Sequence, residues 1–160
     1  MSDNVENIRK EEPLLEGYPL NEFPPYLMNR IMGRYNQSLR QEMASQNLTT
    51  AKMRVLAVLS AIEDILISEL AVYAVVEQST LSRALDQLSN EGLLKRKIDS
   101  IDTRATRVSL TKDGLKAFQA LWPHMLKSHN GMFLGIDTKE KKQFTITLQK
   151  ILTNIRKHPF

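Results

Sequence analysis

Cysteine is absent from this 160-residue chain. That excludes disulfides, thiolate zinc sites, cysteine nucleophiles and thiol-based oxidant sensing together. Glycine is scarce: six are present, and none falls in a G-x-G-x-x-G or P-loop spacing that would cradle a nucleotide phosphate. Long apolar runs are missing as well, so the sequence predicts no membrane-spanning helix. The opening stretch, MSDNVENIRKEEP, is polar and lacks the apolar core of a secretory leader, so the expected compartment is the cytoplasm. Histidine is rare, and His124 and His129 lie five positions apart, a spacing that does not put a metal pair on one helix face. Asp137 and Glu140 read as a helix N-cap and a first-turn acid, not as a catalytic carboxylate pair. No Ser/His/Asp set sits on a nucleophile elbow. The expectation is a protein without catalytic residues, metal or cofactor.

What is present is an ordinary globular composition, 42% hydrophobic and 25% charged. Net charge is +4, and its placement says more than its size. Residues 1–24 contain six acids and two bases. Residues 94–112 contain six bases (Lys95, Arg96, Lys97, Arg104, Arg107 and Lys112) and two acids, a local excess equal to that of the whole chain. A concentrated basic patch on a near-neutral background is the footprint of a phosphate-binding surface, although charged, solvated hairpin edges share that composition.

Hydrophobic periodicity divides the chain. Residues 1–25 carry four prolines and no sustained period, which predicts an extended arm. From Tyr26 to about Gln46, apolar residues recur in steps of four (Leu27, Ile31, Tyr35, Leu39, Met43), predicting one helix roughly 30 Å long. Thr49 and Thr50 offer an N-cap to a second helix bearing Met53, Leu56, Leu59 and Ile62, and Ser68 offers one to a short third. A fourth runs from about Ser79 to Asn90, with Leu81, Ala84, Leu85 and Leu88 on one face, and stops at Glu91-Gly92. The period then changes to two. Leu94, Arg96 and Ile98 alternate with Lys95 and Lys97, and Thr106, Val108 and Leu110 alternate with Arg107 and Ser109, predicting a β-hairpin with an apolar and a basic face. Thr111 caps a fifth helix with Leu115, Phe118, Leu121, Trp122 and Met125; Asp137 or Thr138 caps a sixth with Phe144, Leu148, Ile151, Leu152 and Ile155.

Short helices followed by a basic hairpin make a winged helix-turn-helix. A recognition helix must fit a major groove about 12 Å wide and present small or hydrogen-bonding side chains at its exposed start. Gln78, Ser79, Thr80, Ser82 and Arg83 supply these, since hydroxyls bond bases or phosphates and Arg can fork onto guanine. Lys95, Lys97, Arg104 and Arg107 extend the basic surface along the hairpin. The fold class expected is mainly α with a small β-hairpin wing.

The segments LTTAKMRVLAVL, ISELAVYAVVEQSTLSRALDQLSNEGLLKRK and DTRATRVSLTKDG, in this order and spacing, resemble the MarR family of bacterial transcriptional regulators over roughly residues 26–156. The resemblance implies a homodimer of winged modules, with the first, fifth and sixth helices dimerising, that reads near-palindromic double-stranded DNA, usually as a repressor. The family's Asp-x-Arg wing motif falls on Asp102 and Arg104, which implies that Arg104 enters the minor groove while Asp102 braces the wing. Arg96 shares a strand face with Leu94 and Ile98 and is expected to pair with Asp102. The expected division is an arm (1–25), a dimerisation helix (26–47), the winged module (48–112) and C-terminal dimerisation helices (113–160).

Many members of the family release DNA on binding a small, often aromatic, acid. With no thiol to oxidise, control is expected from such a noncovalent effector. The expected pocket uses Met28, Ile31, Met32, Tyr35 and Trp122 as walls, with Arg30 or Arg34 for a ligand carboxylate. Two alternatives stand beside this reading: a constitutive regulator without a ligand, and a winged-helix protein-interaction scaffold without sequence-specific DNA binding.

Overall fold

The computed structural model describes residues 19–157. Most of the expected N-terminal arm, and His158, lie outside the described residues. The chain divides after Ser38 into two compact units.

In the first unit a single 3-10 turn, Leu20–Glu22, leads into helix α1, Pro24–Ser38. Pro24 and Pro25 suit the first helical turn, where a missing N–H forfeits no hydrogen bond. Tyr26 and Leu27 donate their N–H groups to the Phe23 carbonyl at 3.1 and 3.2 Å, closing the entry. None of the α1 residues is buried, and Leu27, Ile31 and Met32 stay between 39% and 46% exposed.

The expected helix through Gln46 is interrupted. Its hydrogen-bonded ladder lapses at Leu39 and resumes as α2, Arg40–Ser45, at the start of the second unit. The Ser38 hydroxyl donates to the Tyr35 carbonyl at 2.7 Å, a side-chain bond that competes with the helical ladder. The step-of-four apolar pattern continues across the break, because Leu39 and Met43 are both buried.

The second unit is built around α3, Thr50–Ala61, which packs on α4 (Ile67–Ala74), α5 (Gln78–Asn90), α6 (Lys112–Met132) and the sheet. Thr49 caps α3 by accepting the Lys52 N–H at 3.2 Å. Fully buried Val55, Leu56, Leu70, Leu81, Leu85, Leu88, Val108 and Leu121 form the core. Lys52 is buried with them and is satisfied by Glu91 Oε1 at 2.6 Å and the Asn47 carbonyl at 3.3 Å, which ties α3 to the end of α5.

Ser68 does not cap α4. Leu66 holds the cap position, and the Glu69 carboxylate accepts its N–H at 3.2 Å, a first-turn acid reaching back over the helix start. The expected two-stranded hairpin is a three-stranded antiparallel sheet. The short strand β1, Ile65–Leu66, pairs with β3, Thr106–Leu110, which pairs in turn with β2, Leu94–Ile98. Arg96 lies opposite Val108 and Lys97 opposite Arg107. The apolar face is covered only at its base: Leu94 and Val108 are buried, whereas Ile98 is 68% exposed at the far end.

Helix α6 starts against the sheet. Thr111 caps it by accepting the Gly114 N–H at 3.0 Å, and its hydroxyl donates to the Gly92 carbonyl at 2.7 Å. Asp137 caps α7, Thr138–Ile155, by accepting the Glu140 N–H at 2.8 Å. No described residue of α7 is buried, and Leu152 and Ile155 are 62% and 68% exposed. Among the described residues no helix is long and apolar enough to cross a membrane, and no cluster of His, Asp and Glu fit to hold a metal ion occurs.

Candidate nucleic-acid interface

Helix α5 sorts its side chains by burial. Leu81, Ala84, Leu85 and Leu88 face the core, and Gln78, Ser79, Thr80, Ser82 and Arg83 are all exposed along its first turns. A helix with one apolar stripe and a hydroxyl- and Arg-bearing outer start can enter a groove without losing its packing. The turn that precedes it places Val75 in the left-handed region, φ 51 and ψ 54, with its carbonyl accepting from Arg54 Nη1 at 2.9 Å.

The sheet contributes the wing. Its tip, residues 99–105, is organised around Asp99, which is only 6% exposed. Asp99 Oδ1 accepts the N–H groups of Ile101 and Asp102 at 2.9 and 2.8 Å, the Asx-turn geometry that a short carboxylate side chain permits. Its Oδ2 accepts from Arg107 Nε at 2.5 Å. The backbone N–H of Asp102, the Arg107 guanidinium and the N–H of Ile101 hold the Asp99 carboxyl down at about 2. The same hydrogen bond, donated to Asp99, raises the Arg107 guanidinium above its ordinary value.

Arg107 also donates to the Asp64 backbone carbonyl, and Lys97 Nζ lies 2.7 Å from Asp64 Oδ2. Three of the bases expected to meet DNA, Lys97, Arg104 and Arg107, are engaged by carboxylates of the protein. Arg107 is a strut between the wing tip and the residue before β1, with 29% of its side chain exposed. Lys97 keeps 62% of its side chain exposed despite its partner.

The expected pairing of Arg96 with Asp102 does not occur. Arg96 Nη2 meets Asp86 Oδ1 at 2.7 Å, because the shared face with Leu94 turns it toward α5 rather than toward the tip. Asp102 instead accepts the N–H of Arg104 at 3.0 Å and its Nε at 3.1 Å. The Arg104 side chain is 90% exposed and is aimed by that contact. Lys95 and Arg83 are exposed and have no carboxylate partner among the described residues. Asp64, Asp86 and Asp99 were missed from the sequence. Only Asp99 left a local signal, an Asp heading the polar turn Asp99-Ser100-Ile101-Asp102.

The residues expected to line an effector pocket fall in different units. Met28, Arg30, Ile31, Met32, Arg34 and Tyr35 share α1, and Trp122 is on α6. Arg30 Nη1 lies 3.3 Å from the Tyr26 hydroxyl, and Arg34 Nη1 donates to Gln37 Oε1 at 3.2 Å. Burial raises the Tyr35 phenol above its ordinary value. Trp122 is 49% exposed and tilts against Phe118 at 5.9 Å between ring centres. His124 faces Glu42 of α2 at 3.3 Å, and His129 lies 2.8 Å from Lys141 Nζ, so each has a neighbour within the fold.

A sequence model of the MarR family matches residues 46–105, the span from the start of the winged module to the wing tip. A solved MarR-family transcriptional regulator from Silicibacter pomeroyi is 54% identical, with a TM-score of 0.84 over 89% of this chain and 96% of that one. A second MarR-family structure, from Silicibacter pomeroyi DSS, is 35% identical, with a TM-score of 0.81 over 91% of this chain and 99% of that one. The HTH-type transcriptional repressor IacR of Pseudomonas putida is 23% identical over 144 residues, which is 90% of this chain and 86% of IacR.

Proposed function

The chain belongs to the MarR family of transcriptional regulators, and on that premise we propose that it is a cytoplasmic, homodimeric repressor of near-palindromic DNA sites, not an enzyme. The observation that carries the reading is the pairing of an outward-facing α5 start with a braced wing whose Arg104 stays 90% exposed. Arg83, Ser79, Thr80, Ser82 and Gln78 contact the major groove or its phosphates. Arg104 enters the minor groove, where a narrow A·T-rich stretch concentrates negative potential. Lys95 and the exposed part of Lys97 add phosphate contacts. Repression is favoured by likeness to a protein named as a repressor.

The dimer is supported by two helices with apolar stripes and no buried residue, α1 and α7. Uncovered stripes of that length need a partner surface. A two-fold dimer would set its recognition helices about 34 Å apart, one turn of DNA. The proposed division into a dimerisation helix over 26–47, a winged module over 48–112 and C-terminal dimerisation helices over 113–160 follows the same logic. The effector is a small acid whose carboxylate pairs with Arg30 or Arg34. It acts by binding the DNA-competent shape less well than another shape.

Genome-wide mapping of bound DNA tests the reading. It should recover a few discrete sites with inverted half-sites about 10 bp apart. Uniform, sequence-independent recovery, or none, would contradict it.

A further inference from the structure

The most exposed large apolar residue of the described chain is Ile101, at 93%, in the wing tip. Ile98, 68% exposed, lies on the other side of buried Asp99. Single exposed apolar side chains are common on protein surfaces. This one differs in being held in place. The Ile101 N–H is fixed to Asp99 Oδ1 at 2.9 Å, and Asp99 is itself fixed by Arg107. The Ala105 N–H donates to the Asp102 carbonyl at 2.8 Å, and the Asp99 N–H donates to the Ala105 carbonyl at 3.0 Å, closing the loop beneath it. The backbone is tied down while the side chain projects into water, three residues from the equally exposed Arg104.

Building on the DNA-binding reading above, we propose that Ile101 is a specificity-determining residue that packs on the floor of the minor groove and selects A·T over G·C pairs. The chemistry of the groove fits the side chain. An A·T floor offers the adenine C2–H edge and two acceptors, with no projecting group. A G·C pair adds the guanine 2-amino group, which would meet the branched isoleucine and be buried without an acceptor. Rejection of that amine provides discrimination that Arg104, a donor only, supplies through groove width alone. Apolar side chains on a basic wing suit this surface because the cation approaches the acceptors while the isoleucine excludes water.

Base analogues test this directly. Hydroxyl-radical footprinting of a bound site locates the minor-groove pairs that the wing covers. Replacing adenine there by 2,6-diaminopurine adds the minor-groove amine and leaves the major-groove pattern of A·T, and inosine·C does the reverse for G·C. The wild-type protein should lose about tenfold in affinity on the diaminopurine duplex and regain it on inosine·C, in the range usual for one mismatched pair. Ile101→Ala, with no packing inside the fold to lose, should bind the natural duplex several-fold more weakly because its groove contact is shortened, and should reduce the amine penalty to about twofold or less. An Ile101→Ala protein that still loses about fivefold or more on diaminopurine would overturn the assignment and leave groove width, read by Arg104, as the sole minor-groove signal. A wild-type protein indifferent to the amine would overturn it as well. A wild-type protein that bound no duplex at all would remove the regulator reading itself, a failure distinct from the other two.

Discussion

Arg107 on β3 donates from Nε to Asp99 Oδ2 at 2.5 Å, so the residue just after β2 is locked to the neighbouring strand. The same guanidinium reaches the Asp64 carbonyl, making one side chain the junction of wing tip, sheet and the loop before β1. This places a phosphate-binding type of residue in a structural role and leaves Arg104 as the base presented by the tip.

The Asp99 carboxyl, held at about 2, gives that junction a pH signature. A carboxyl whose folded pKa lies below its unfolded value of about 3.9 binds fewer protons when folded, so it stabilises the fold fully above that value. The contribution disappears as pH falls from about 4 to about 2. Urea midpoints for wild type and Asp99→Asn should differ most at about pH 5 and converge near pH 2. A gap that stayed constant across that window would show that Asp99 ionisation plays no part in holding the wing.

Val75 carries a left-handed backbone, φ 51, on a β-branched residue that is 76% exposed. Such conformations cost on the order of 1–3 kcal/mol, and glycine adopts them freely. Part of the gain is offset by the larger chain entropy of glycine in the unfolded state. Val75→Gly should therefore stabilise the protein by about 1 kcal/mol and raise its melting temperature by a few degrees. A lower melting temperature would mean that the Val75 side chain contributes more packing than its exposure indicates.

Gly114 sits where a Cβ would fall 1.9 Å from the Leu93 carbonyl oxygen. The obstacle is backbone, and the Leu93 carbonyl also accepts the Thr111 N–H at 3.1 Å, so it cannot move without loosening the start of α6. Gly114→Ala should destabilise by at least the 1–3 kcal/mol typical of overpacking. Chemical denaturation giving an unchanged midpoint would contradict the close approach.

The starts of α3, α6 and α7 and the buried face of α5 were legible because their signals are local, whereas the start of α4 was not, since Leu66 rather than Ser68 holds its cap position. Thr49, Thr111 and Asp137 each accept the N–H three residues on, and the 3-1-3 spacing of Leu81, Ala84, Leu85 and Leu88 names the buried face of α5. Strand β1 was not legible, since two residues show no period. The break at Leu39 was hidden by an apolar pattern that runs straight through it. The ion pairs failed for a different reason. Arg96 chose Asp86 ten positions back, and Arg107 reached Asp64 across 43 positions, and neither distance is encoded in the nearby sequence. Residue type identified a basic wing, but tertiary contacts decided which of its bases remain available.

The central claim is that Arg83 on α5 and Arg104, which keeps 90% of its side chain exposed on the wing, carry the DNA contacts. The most direct measurement is affinity for a mapped site over a salt series, with wild type, Arg83→Ala and Arg104→Ala side by side. Arg83→Ala should lose about 1–3 kcal/mol if it forks onto a guanine. Arg104→Ala should bind more weakly and lower the slope of log affinity against log salt by about one. Wild-type affinity and wild-type slope in both variants would contradict the account.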